Sequence, residues 1–422
     1  MAGALFARLA LAARLLRAEG PRALVDRWRD RRLDARRAQR FAPAGSSAPV
    51  PAGARPATLW VLPFRLQRRS GGAAIQLLVR LEERATTEPV ALVQRLPGRW
   101  RCELWGRGVA RPLAREWPTD STLPPLLDAS PLPILQEAAR WVGARHLHFE
   151  SLVELPLSLP LAAQERGLSF GLSAHDFALF CPRPHLIEEP SGVFCAFSIE
   201  PSRCARCLAA TWTLPPGFQE ERREVATQLA AAADVLEFPS AYMRREHLRL
   251  FPGIDPARTR VVPPRSLAEA LPAAPRAVRR PPLRIALAGA VHSHKGAREF
   301  EAVVRSLAEQ GQHDFEWHVF GGGDPVLLRR LRRLPRTRVH GYYRAGSLPQ
   351  RLRAAQIDLV LLPSIWPEAH CLVLDECAAA GVPVVAFDLG ALGERIRAGG
   401  LGQVVDPGAG AAALAAAIAG RR

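Results

Sequence analysis

Short apolar runs alternate with amphipathic stretches along most of the chain. In the first half, ATLWVLPF, PVALVQRL, LHFESLV, LSFGLSAHD, DVLEFPS and TRVVPP predict strands. SGGAAIQLLVRLEER, opening on a glycine turn, predicts a helix. The rhythm restarts more cleanly in the second half. There LRIALAGA, FEWHVFGGG, TRVHGYY, IDLVLLPS and VPVVAFD read as strands. KGAREFEAVVRSLAEQG, DPVLLRRLRRL, SLPQRLRAAQ and HCLVLDECAAAG read as the helices between them. Apolar strands separated by helices mark parallel sheets covered on both faces. The expected fold class is α/β, with two doubly wound Rossmann-like domains facing a cleft. Ligands of such sheets sit beyond the carboxyl ends of the strands.

FAPAGSSAPVPAGARPA and LPAAPRAVRRPP interrupt this rhythm and read as linkers. The expected divisions are a basic helical arm (1–40), a linker (41–57), an N-terminal domain (58–275), a short linker (276–282) and a C-terminal domain (283–422). The arm carries 11 Arg against Glu19, Asp26, Asp30 and Asp34. Leu5, Phe6, Leu9, Ala13 and Leu16 share one helical arc, opposite Arg8, Arg14 and Arg17, and Gly20-Pro21 starts a second helix. Such an arm suits the surface of an anionic membrane; it equally suits packing on the body with its arginines solvated. ALFARLALAARLL is too short and too charged to span a bilayer, and it makes no convincing secretory signal. The expected compartment is the reducing cytoplasm, at the inner face of the membrane if the arm binds lipid.

Composition changes this picture in one place. With 48% hydrophobic and 23% charged residues the chain is of ordinary globular type, and its net charge of +17 favours an anionic partner. Among 57 basic residues Lys295 is the only lysine, and asparagine is absent. Arginine drift therefore inflates the charge. No ladder of aromatic and basic residues accompanies it, so nucleic acid is not an expected partner. The lone lysine stands in HSHKGARE. A compact ammonium fits beside a phosphate where a broad guanidinium would not.

PSIWPEAHCLVLDECAAAGVPVVAFD holds the richest constellation. It predicts a strand to Ser364, then a helix over 370–380 with Glu368 at its entrance. Glu376, eight residues on, is rotated by roughly 80° and advanced by about 12 Å. The two carboxylates share a broad face but cannot hold one atom; they suit two ends of an extended ligand. The helix entrance adds free N–H groups for an anion or hydroxyl. Otherwise Glu376 is a solvated helix carboxylate and Glu368 a cap. His175 and Asp176 end a predicted strand, and Gly71-Gly72 would allow close backbone approach to a phosphate or acceptor. Gly321–Gly323 does not fit G-x-G-x-x-G, so no dinucleotide is expected. Cys181, Cys195, Cys204 and Cys207, ending in C-x-x-C, would suit a structural zinc; they also read as buried hydrophobes or a redox pair. Cys102, Cys371 and Cys377 read as core or loop residues.

Taken together, these motifs resemble family 4 of the GT-B glycosyltransferases, the retaining, nucleotide-sugar-dependent group with an E-x7-E signature. Glu368 and Glu376 have that spacing. LAGAVHSHKGARE resembles the first loop of the family's C-terminal domain, VHGYYR its G-Y turn, and GALGERI the loop after the last strong strand. SGGAAIQLLVRL, SAHDFALFCPR and ADVLEFPSAYMRR are similar, more weakly, to N-domain motifs. The wording is closest to bacterial cell-surface polysaccharide glycosyltransferases. The resemblance implies Lys295, Glu368 and His175 as catalytic residues, with His175 facing the donor sugar. It implies Gly289, Tyr342, Ala369, His370, Cys371 and Glu376 as donor-binding residues beside Lys295 and Glu368. It further implies a nucleotide-sugar donor, a glycan or lipid-linked acceptor, and no cofactor required for catalysis. One position departs: an arginine usual five residues before the lysine is Ala290 here, with His292, His294 or Arg298 the candidates to replace its charge. A catalytically weak relative that binds sugar nucleotide or scaffolds an assembly complex is the alternative reading.

Overall fold

A computed structural model describes residues 12–13, 15–17, 19–43, 50, 52–68, 71–119, 130–268 and 281–420. Leu5, Phe6, Leu9, Arg8, Arg14, residues 44–49 and 51 of the first linker and 276–280 of the second lie outside them. The chain forms two compact units, Leu33–Pro263 and Pro264–Arg422, the second taking in the chain up to Arg32. The arm is thus not a unit of its own, and the division after Pro263 precedes the expected linker. Among the described residues no helix is long and apolar enough to cross a membrane.

The first unit holds a nine-stranded sheet. Its strands are β1 (Ala42–Pro43), β2 (Thr58–Leu62), β3 (Pro89–Leu96), β4 (Arg99–Gly106), β5 (Leu113–Pro118), β6 (His146–Phe149), β7 (Ser169–Ser173), β10 (Val235–Phe238) and β11 (Thr259–Val261), in the order β1-β5-β4-β3-β2-β6-β7-β10-β11. Between β7 and β10 a two-stranded ribbon pairs β8 (Ile187–Glu188) with β9 (Val193–Phe194). From β3 through β2 to β11 the sheet is parallel, as expected. β4 and β5, absent from the sequence reading, extend it antiparallel. The cause is local: Gly98 turns left-handed (φ 69) and lets β4 fold straight back on β3, burying Trp100, Cys102 and Leu104. The expected 41–57 linker opens on β1, which pairs with β5.

The second unit has β12 (Leu283–Ala288), β13 (Phe315–Phe320), β14 (Thr337–Gly341), β15 (Leu359–Leu362), β16 (Val384–Phe387) and β17 (Gly402–Val405) in one all-parallel sheet, ordered β14-β13-β12-β15-β16-β17. Alternate residues feed two cores. Ile285 and Leu287 pack with Phe300, Val303 and Trp317, while Ala286 packs with Leu352, Leu374 and Leu392. β17, with the half-polar sequence GQVV, gives no apolar run that would predict a strand. The closing helix Gly410–Ala419 buries Leu414, Ala415 and Ile418 in the first of these cores.

Candidate active site

Three loops meet beyond the carboxyl ends of β12, β15 and β16. After β12 the chain makes a short turn, Ser293–Lys295, and enters the helix Ala297–Glu309 through Gly296. Gly296 is left-handed (φ 82), and a Cβ there would lie 1.8 Å from the Pro363 carbonyl oxygen. Only glycine lets the β12 loop lie so close to the β15 loop. Ile365 N–H then donates to the His294 carbonyl at 3.1 Å, and Ala391 N–H to the Glu368 carbonyl at 2.9 Å. Gly289 (φ 110) packs against the next loop, since a Cβ on Gly321 would meet the Gly289 carbonyl at 1.7 Å.

This arrangement brings Lys295 to Glu368. The Nζ donates to Oε2 at 2.7 Å, with Glu368 buried and Lys295 half-buried. Ser364 Oγ donates to the other carboxylate oxygen. The ammonium also lies 5.0 Å from the ring centre of Trp366, a cation–π contact. His292 stacks on His294. Burial, opposed by Asp324 and reinforced by Lys295, holds His292 below its usual pKa, which disfavours it as a replacement for the charge missing at Ala290. Arg298 is exposed on the helix that follows.

The second helix of the constellation spans Leu372–Ala380, not 370–380, and Glu368 lies in the loop before it. That loop is pinned. Arg395 donates to the His370 and Cys371 carbonyls at 2.8 and 3.2 Å and also to Asp375, which pairs with His370 at 3.1 Å. Ala369 is buried, and Cys371 sits in the left-handed region (φ 70) at the helix start. Glu376 is no solvated carboxylate. It is buried and accepts from Gly346 N–H at 2.8 Å, with Tyr343 Oη at 3.4 Å. Burial pushes it up to about 7, although the Gly346 and Leu348 amides pull the other way.

Tyr342 is engaged elsewhere. Its hydroxyl donates to Asp30 at 2.7 Å, its N–H to Glu19 at 3.0 Å, and Arg27 stacks over its ring. Both carboxylates come from the arm, whose helix Pro21–Gln39 also pairs Asp26 with Arg351 and Asp30 with Arg344.

His175 belongs to the other unit, past the end of β7. Its Nε2 lies 2.8 Å from Glu150, which Ser173 also bonds at 3.1 Å, and Ser173 meets His148 at 2.8 Å. Burial disfavours the charged imidazole, but the Glu150 carboxylate outweighs it, with Asp176, and raises its pKa. With His175, Asp176 and Ser151 this end of β7 lines a cavity of about 330 Å³. Gly71 (φ 106) and Gly72 open the helix Gly72–Arg84, and both are exposed.

Residues 282–420 match the family described as glycosyl transferases group 1. The match covers the whole C-terminal sheet and the Lys295–Glu368 pair. Among solved structures the chain is similar to a sucrose-phosphate synthase from Thermosynechococcus elongatus, at 17% identity and TM-score 0.59, covering 86% of this chain and 88% of that one. A glycosyltransferase from Rickettsia africae gives 16% identity and TM-score 0.55, over 86% and 87%. HepE of Anabaena, crystallised with UDP-glucose, gives 16% and 0.51, over 86% and 89%. At such identities the likeness is one of fold, and that fold is GT-B, as expected. No curated protein matches in sequence.

Within the group 1 segment, Ser364, Trp366, Tyr343 and Arg395 join the site without having been singled out. SIWPEAH displays the first two beside Glu368. Between Tyr342 and Tyr343, adjacent in sequence, nothing but packing could choose.

Proposed function

We propose that the protein is a retaining glycosyltransferase. It moves a sugar from a nucleotide-sugar donor to a glycan or lipid-linked acceptor in the making of a bacterial cell-surface polysaccharide. The observation that carries this reading is the Lys295–Glu368 pair at the ends of β12 and β15, inside the group 1 segment. Breaking a glycosyl–phosphate bond places negative charge on the leaving diphosphate. Lys295 has three N–H donors and gives one to Glu368. The others are available to a diphosphate, where a fixed cation stabilises the developing charge. Glu368, held between Lys295 and Ser364, accepts hydroxyls of the transferred sugar, and Glu376 those of the nucleotide end. Retention, the acceptor and the role of His175 rest on the family resemblance. So does catalysis without a required cofactor.

The exposed Ala290, with no arginine in its place and His292 beside it held below its usual pKa, favours a second reading: a weakly active relative that binds sugar nucleotide or scaffolds an assembly complex. Saturation-transfer NMR against UDP-, GDP- and dTDP-sugars, followed by donor hydrolysis, separates the two. Lys295→Ala is expected to slow hydrolysis by about 10²–10³-fold, and to lower the melting temperature because buried Glu368 loses its ion pair. Lys295→Arg, with its wider head, should lose about a hundredfold. Binding without turnover would favour the second reading, and binding of no sugar nucleotide would remove both.

A further inference from the structure

Four cysteines from three separate pieces of the first unit reach one cavity. Cys181 lies in the loop beyond β7, Cys195 directly follows β9, and Cys204 and Cys207 lie on the helix Pro201–Ala209, three residues apart and so on one face. The cavity, about 340 Å³ and open to solvent, is lined by all four. All are free thiols, and three are only half-buried, unlike cysteines that merely fill a core.

The backbone around them is turned toward sulfur. The Arg183 N–H points at Cys181 Sγ, the Phe197 and Ser198 N–H groups at Cys195 Sγ, and the Glu189 N–H at Cys207 Sγ at 3.3 Å. Ala196 and Phe197 both adopt the left-handed region, with φ 52 and 58. This conformation is costly for residues with a Cβ. Cys204, early in its helix, takes a hydrogen bond from Arg223 at 3.3 Å. An apolar wall stands close by, with Phe197 packed on Phe177, Phe180 and Phe194. A buried hydrophobe needs none of these donors. Burial raises the Cys181 and Cys195 pKa values, and against it these donors pull toward the thiolate, the form that ligates metals.

Four convergent sulfur donors suit a tetrahedral, thiophilic ion. We infer that Cys181, Cys195, Cys204 and Cys207 form a structural zinc site that staples the 181–207 excursion. Four thiols and one Zn²⁺ give a tetrathiolate of net charge −2 and release four protons to solvent. Arg223 and the inward amides meet that charge. Among the described residues no three His, Cys, Asp or Glu side chains are close enough to share an ion. Binding the ion therefore requires the thiols to draw together within the cavity they line.

The test uses the full-length protein, purified reduced and without chelator from zinc-supplied cells. Elemental analysis should find about one zinc per chain. Titrating thiols with a mercurial, in the presence of a chromogenic chelator, should release that zinc as the cluster is modified. Cys195→Ser and Cys204→Ser should lose the metal, and Cys102→Ala should keep it. If the serine variants fail to fold, the wild-type titration decides alone. Absence of zinc with every thiol reacting freely would overturn the assignment. Iron with acid-labile sulfide, or a Cys204–Cys207 disulfide by mass spectrometry, would overturn it too. None of these readouts depends on glycosyl transfer.

Discussion

Glu376 shows how one side chain joins stability to function. Burial raises its pKa to about 7 from an ordinary value of 4.5. A carboxyl with a raised folded-state pKa makes its full contribution below the unfolded value. That contribution is lost as pH rises through the folded value. Between pH 4.5 and 7, therefore, the folded state progressively gives up this advantage. Above pH 7 the ionised Glu376 subtracts about 3 kcal/mol, the equivalent of its shift. Glu376→Gln should accordingly raise the melting temperature at pH 8 and leave it nearly unchanged at pH 4.5. The same variant should weaken sugar-nucleotide binding in calorimetry, because a neutral amide is the poorer acceptor for hydroxyls. Equal melting shifts at both pH values would contradict the assignment. Its eight-residue spacing from Glu368 was legible in the sequence, but its burial was not. The residues that enclose it, Tyr343 and Gly346, come from a different loop.

At the scale of elements, the site depends on how closely the β12 and β15 loops approach. Gly296→Ala would add a Cβ 1.8 Å from the Pro363 carbonyl, at a left-handed position. The loops must then part, drawing Lys295 away from Glu368. Urea unfolding should show a loss of about 3 kcal/mol or more, and donor binding should fall with it. Gly311→Ala is the control. It is also left-handed (φ 71) but meets nothing within 4 Å, so only the backbone strain of about 1 kcal/mol applies. Similar losses in the two variants would show that the loop contact contributes nothing.

For the whole molecule, the basic amphipathic arm left two readings open, a helix on an anionic membrane surface or one packed on the body with its arginines solvated. The structure places its acidic residues instead. Glu19, Asp26 and Asp30 are buried against the second unit, and Asp26 holds Arg351, whose side chain is 10% exposed. Asp26→Ala takes from that guanidinium its carboxylate and leaves it the Ser347 hydroxyl at 3.4 Å, an expected loss of about 3–5 kcal/mol in unfolding free energy. Pairing Asp26→Ala with Arg351→Met should recover part of it. A neutral Asp26→Ala would mean that the arm contributes nothing to the unit. Ala13 and Leu16, the described members of its first apolar arc, are exposed.

By itself the sequence determined the alternation of apolar strands and helices and the spacing of Lys295, Glu368 and Glu376, while the GT-B class came from the family resemblance its motifs carry. These are written in local signals: apolar period, turn glycines and fixed spacing. Only the tertiary structure decided that β4 and β5 extend the first sheet, and that the arm packs through its acids rather than standing apart. It alone assigned Tyr342 to the arm and Tyr343 to Glu376, and drew four distant cysteines to one cavity. Each of these depends on which surfaces meet across long separations in the chain. Such a meeting is settled by the burial and charge pairing of the whole fold, and no local pattern encodes it.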